Sequence, residues 1–195
     1  MPRIEADNIE EHIRIQNDRI LNAAGDLFRV RGYHGTDMGE IAKSIGLARN
    51  SLYRYYPSKD HILLACVKRG MADNLEKFRQ LSDAVQDPRE RIEAWLNLQM
   101  EVALGPCHAT MQMVGEVRET SPELRKEIMG LHEIPNSVLE SSVSEITKGS
   151  HRNAQLISRM IGSMVQSAAR EAIDNGRVQA VTEELKHSVA AVLAK

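Results

Sequence analysis

The sequence predicts an all-α fold. Apolar residues recur at three- and four-residue spacing, no stretch alternates convincingly in the period of two that a half-buried strand requires, and Gly, Pro and cap residues cut the periodic runs into helix-length pieces. The chain has 195 residues, enough for one large or two small domains and a sizeable core. Only 4% of them are aromatic, so that core is aliphatic, with nine Met as adaptable filler.

The elements follow in order. Ile13, Ile20, Ala24, Leu27 and Phe28 fall on one stripe of a first helix over about Ile13–Arg31, which Gly32 ends. Gly25 inside it costs about 1 kcal/mol relative to Ala, which points to close backbone packing there. Thr36 caps a short second helix with Asp37 and Glu40 in its first turn, ending at Ile45-Gly46. A third helix runs over Ala48–Tyr55 until Pro57 breaks it, and Ser58 caps a fourth reaching about Ser82. Asp87-Pro88 opens Pro88–Leu104 and Gly105-Pro106 ends it. Further helices are expected over His108–Glu119 and from Ser121-Pro122-Glu123, with an interruption or kink at Pro135. After the loop Lys148-Gly149-Ser150 come a long helix, Asn153–Asn175, ended by Gly176, and a last one over Thr182–Ala194.

Composition excludes several classes. The N-terminus is charged and has no apolar h-region, so no signal peptide is expected, and no apolar run approaches the roughly 20 residues of a membrane span. Cys66 and Cys107 are the only cysteines and have no metal-ligand spacing, which fits a reducing cytosol and a cytoplasmic protein without cofactor or metal. An enzyme would need a phosphate loop, a metal cluster or a nucleophile–base pair. The chain has no glycine-rich phosphate loop, no His-Glu-x-x-His and no nucleophile elbow, and its seven His are scattered. Net charge is −2, yet residues 12–70 carry +5 and residues 71–195 carry −4. A basic third on an acidic body points to a polyanion at one end.

Two short helices joined by a tight turn at Gly46 have helix-turn-helix geometry, whose second helix enters the major groove. Arg49 and Arg54 can reach phosphate or guanine edges, and Asn50 and Ser51 can hydrogen-bond to bases. Tyr53 and Tyr55 offer hydroxyls to phosphate and ring faces to thymine methyls, while Leu52 pins the helix to its domain. Thr36, Tyr56 and Lys59 are expected to position phosphates, helped by amides at the starts of the second and fourth helices. The alternative is a helical adaptor that binds protein; the basic helix-turn-helix speaks against it.

Arg19 to Leu63 resembles the DNA-binding domain of TetR-family regulators. The matching residues are Ile20-Leu21-Asn22-Ala23-Ala24, Leu27-Phe28, Gly32-Tyr33, Thr36, Ile41-Ala42, Gly46-Leu47, Ser51-Leu52-Tyr53 and Tyr55-Tyr56-Pro57-Ser58-Lys59-Asp60. Asn50 stands where a small residue, commonly Gly, is usual, and Gly39 and Ile45 depart from the family's second helix. The resemblance implies an N-terminal three-helix DNA-binding domain over 1–58, with a flexible arm to about 12. It also implies a C-terminal helical domain over 59–195 that binds an effector and dimerises. The expected function is that of a transcriptional regulator binding double-stranded DNA at an inverted-repeat operator, a repressor released by a small, largely apolar effector.

Helix Asn153–Asn175 carries two adjacent apolar tracks, wider than one core contact needs. Ile157, Ile161, Val165 and Ala169, with Leu185, Val189 and Val192 of the last helix, are assigned to a four-helix homodimer interface; intramolecular core is the alternative. Pocket candidates are Trp95, Leu98, Met100, Met111, Met113, Met160 and Met164, with His108, Gln112 and Glu116 as polar anchors. Cys107-His108 as a thiol or metal sensor ranks below them, because an adjacent pair cannot complete a metal site alone.

Overall fold

The computed structural model describes residues 6–105, 113–114 and 122–194. The ordered elements are α1 (Ala6–Arg31), α2 (Met38–Ser44), α3 (Arg49–Leu52), α4 (Lys59–Ala84), α5 (Pro88–Leu104), α6 (Pro122–Gly130), α7 (Glu133–Thr147), α8 (Ala154–Asn175) and α9 (Val178–Val192). There is no strand among the described residues, and no helix there is long and apolar enough to cross a membrane. Two compact units emerge: Met1–Gly70 with Ala109–Ile128, and Met71–His108 with Met129–Lys195. The first therefore extends beyond residue 58, to Gly70 within α4.

In the first unit, α1 starts earlier than its apolar stripe indicates. Its first turns carry exposed Ile9 and Ile13 and are braced by the Arg14–Glu11 and Arg14–Asp18 pairs, so most of the expected arm is helix. The core beneath it is Ile20, Ala24, Phe28, Ile41, Leu52, Ile62 and Leu63, each at most 1% exposed. Gly25 is not a close-packing site, since a Cβ there would meet nothing within 4 Å. Cys66 donates to the carbonyl of Leu21 at 3.5 Å, and burial pushes its thiol up to about 11, so it is protonated near neutrality.

The second unit packs α5, α7, α8 and α9 around Trp95, Leu96, Val143, Ile161 and Val189, with the Phe78 ring of α4 6.5 Å from that of Trp95. The break expected near Pro135 is an interruption rather than a kink, since α6 ends at Gly130 and α7 begins at Glu133. Pro135 sits in the first turn of α7, where no amide hydrogen is needed, and its carbonyl accepts the Trp95 indole N–H at 2.8 Å. Helix α8 is capped by Asn153 and ended by Gly176, and α9 begins at Val178, a turn before Thr182, whose hydroxyl donates back to the Val178 carbonyl.

Arg91 is the one charged side chain among the residues described as buried. Its guanidinium donates to the carbonyls of Val85 (2.8 Å) and Gln86 (2.9 Å) and to Glu145 (2.8 Å), fastening the α4–α5 connection to α7. Arg91→Ala leaves two part-buried carbonyls without this donor and should lower unfolding free energy by about 2–4 kcal/mol. Urea unfolding checks this, and an unchanged midpoint would refute it.

Candidate nucleic-acid interface

The helix-turn-helix is built from its first cap. Asp37, not Thr36, starts α2: its carboxylate accepts the amides of Gly39 (2.6 Å) and Glu40 (3.0 Å), while Glu40 returns a bond to the Asp37 amide. Those two amides hold the Asp37 carboxyl below its ordinary range. The capping contribution is thus present at neutral pH and is lost as the pH falls through the acid range below it. Thr36 is 1% exposed and donates its hydroxyl to the Gly32 carbonyl at 2.9 Å, so it is fixed inside the turn rather than offered to phosphate. At Gly39 a Cβ would lie 3.1 Å from the Asp37 carboxylate, a tight contact beside the cap.

At the other end of α2, Gly46 takes φ 73°, a left-handed turn residue, and the Leu47 amide reaches back to the Ala42 carbonyl at 2.9 Å. Arg19 of α1 donates to the Ile45 carbonyl at 2.9 Å, and Arg31 pairs with Glu40. Sequence reasoning counted both arginines only as charge. The Asp37-x-x-Glu40 spacing was a readable signal for the cap; nothing local marked Arg19.

Helix α3 is shorter than expected, Arg49–Leu52, and continues as turns through Tyr55. Leu52 is wholly buried and anchors it. Arg49, Asn50, Tyr53 and Arg54 are exposed, while Ser51, Tyr55 and Tyr56 are half-buried. Arg49 and Tyr53 lie one turn apart on one face, the guanidinium donating to the phenol oxygen at 3.2 Å and lying 5.8 Å from the ring centre. Burial raises the Tyr56 hydroxyl above its usual range. Lys59 differs from expectation most: its ammonium donates to the carbonyls of Tyr33 (2.6 Å) and Thr36 (2.8 Å), so it is engaged within the domain.

Of the pocket candidates, six lie among the described residues: Trp95, Leu98, Met100, Met113, Met160 and Met164. Trp95, Leu98 and Met100 are buried in the core of the second unit, so they are packing residues rather than an open lining. Met160 is 49% exposed on α8, and Met113 and Met164 are half-buried. Cys107, His108, Met111, Gln112 and Glu116 lie outside the described residues. Among the described residues no cluster of His, Cys, Asp or Glu could hold a metal.

The interface assignment on α8 is reversed. Ile157, Ile161, Val165 and Ala169, with Leu185 and Val189 of α9, are buried within this chain, and Val192 is partly buried against them. They belong to the intramolecular core, with Val192 at its margin and Leu185 at the edge of a surface groove. The track left outward carries Leu156 and Met160, each 49% exposed, beside exposed Ser163 and Ser167.

The chain is similar to known regulators. One relative is the Fatty acid metabolism regulator protein of Bacillus subtilis, 24% identical over 110 residues, 56% of this chain and 57% of that one. Another is the HTH-type transcriptional regulator LmrA of Bacillus subtilis, 34% identical over 80 residues, 40% of this chain and 43% of that one. The matches thus span about half the length of these relatives. In fold, the chain is similar to the transcriptional regulator FadR of Bacillus subtilis, solved in complex with stearoyl-CoA, at TM-score 0.70 and 21% identity, covering 90% of this chain and 96% of that one. Residues 20–66, which hold the capped α2, the Gly46 turn and α3, match the family model for bacterial regulatory proteins of the tetR family. Over residues 20–66 the chain thus carries the N-terminal region of that family, and the relatives it matches are named as transcriptional regulators.

Proposed function

We propose that this regulator is a homodimeric repressor that leaves an inverted-repeat operator when a small, largely apolar effector binds. The observation that carries the DNA reading is the exposed set Arg49, Asn50, Tyr53 and Arg54 on a helix pinned by buried Leu52. Arg49 and Asn50, with Ser51 and Tyr55 at the edge, face base edges; Tyr53, Arg54 and Tyr56 face the backbone. A two-fold dimer places its half-sites one helical turn, or a multiple of it, apart on the DNA.

The dimer reading rests on the outward face of α8 and α9. Beside exposed Leu156 and Met160, a groove is lined by Met164, Ala168 and Leu185 together with Arg170, Glu171 and Asp174. Apolar area flanked by both charge signs suits a second copy of the same surface.

The effector class is supported by the fold neighbour that holds stearoyl-CoA and by the chain's nine Met, flexible side chains that repack around apolar guests. An operator fragment selected from genomic DNA, titrated with stearoyl-CoA as probe, should lose about 5- to 150-fold in affinity, the usual range of allosteric coupling. Trp95 emission reports occupancy. An emission change with unaltered operator affinity would sink the release mechanism. Release by a metal ion or thiol reagent alone would point to Cys107-His108 instead.

A further inference from the structure

We propose that Lys59 is a positioning residue for DNA recognition, acting through the α1–α2 turn and not on DNA phosphate. The inference rests on DNA reading by α3.

Lys59 is the first residue of α4, yet its ammonium reaches back across 23 and 26 residues to the Thr36 and Tyr33 carbonyls. It also lies 4.0 Å from the centre of the Tyr33 ring. An ammonium has three donors, and two are committed here to backbone carbonyls in a part-buried site. Drawing it out to a phosphate would break both bonds, and only the third donor remains for any partner met in place.

The tie is doubled by the next residue. The Tyr33 hydroxyl donates to Asp60, so the first turn of α4 holds the turn by its side chain as well as its carbonyls. The turn itself has little slack. A Cβ at Gly35 would lie 2.3 Å from the Arg31 carbonyl oxygen, and Thr36 is bonded back to Gly32. Thr36 is followed at once by Asp37, the cap of α2. Through these bonds, Lys59 sets where α2 begins, and α2 with the Gly46 turn sets where α3 presents Arg49 and Tyr53.

A phosphate contact and a positioning tie differ in salt dependence. Each phosphate neutralised contributes about 0.9 to the slope of log affinity against log salt. Lys59→Met keeps the stem and removes the donors. At a temperature where circular dichroism shows it fully folded, it should lose at least about tenfold in affinity for the wild-type operator. Its salt slope and its affinity for random duplex should match wild type. Lys59→Arg, whose planar fork can reach two carbonyls, should recover most of the loss at the same slope. If Lys59→Met does not fold, Lys59→Gln, which retains one amide donor group, is measured in the same way.

A slope reduced by about one contact, with specific and random affinities falling together, would overturn the proposal. So would unchanged operator affinity in Lys59→Met. Failure of the wild-type protein to select any DNA would instead refute the reading of α3, a separate outcome.

Discussion

Replacing both Arg49 and Tyr53 with Ala should abolish preference for the selected operator while leaving the protein folded. Both side chains are exposed, and the Arg49 guanidinium donates to the Tyr53 hydroxyl oxygen. Surface substitutions of this kind usually change stability by less than about 0.5 kcal/mol. A good bidentate arginine–base pair is worth about 1–3 kcal/mol of discrimination, and Tyr53 adds a backbone contact from the same face. Because the two residues are in contact, their effects will not add, and the double variant is more informative than the sum of singles. Operator affinity should fall by about 2–4 kcal/mol per half-site, roughly 30- to 1,000-fold, toward the random-duplex value. Leu52→Ala makes the contrast. Leu52 is wholly buried, so its truncation should cost about 2–5 kcal/mol of stability and lower binding by loosening α3. Quantitative binding paired with thermal unfolding separates the two variants. Normal operator binding by a folded Arg49/Tyr53 double variant would refute the assignment of α3 as the reading helix.

How far the sequence foretold this arrangement depended on how local each signal was. Asp87-Pro88 and Asn153 with Gly176 define helix ends by backbone chemistry within a few residues, and α5 and α8 follow them closely. The Gly46 turn was legible for the same reason. At the start of α2, Thr36 and Asp37 are adjacent residues that can both cap. Only the pairing with a Glu three positions on decides between them, and Glu40 stands in that relation to Asp37. Lys59 shows what local reading misses. A lysine at the start of a helix in a basic domain reads as a phosphate contact, but its partners are carbonyls 23 and 26 residues away, which no local spacing reveals. Three pocket candidates make the same point: Trp95, Leu98 and Met100 have helical spacing whether they line a cavity or fill a core, and they lie in the core cluster of the second unit.

The two tracks of α8 yield the second large effect, because neighbouring residues should fail in different ways. Sequence periodicity could not rank them. Each is apolar at four-residue spacing, and which one faces inward depends on α5, α7 and α9, which arrive from elsewhere in the chain. Ile161 is wholly buried in that core, whereas Met160, one position away, is 49% exposed. Ile161→Asp places an unpaired carboxylate among aliphatic side chains, a cost of several kcal/mol against a total stability of about 5–15 kcal/mol for a typical domain. The expected result is a chain that loses cooperative unfolding and helical signal. Met160→Glu leaves the core untouched but sets like charges against each other across the proposed two-fold interface, besides removing apolar contact area. That variant should remain helical, scatter light as a monomer of about 22 kDa at micromolar concentration, and bind operator weakly, since each half-site must then be captured separately. A Met160→Glu protein that stays dimeric would show that the outward track is not the interface. A folded, monomeric Ile161→Asp protein would show that the inward track is.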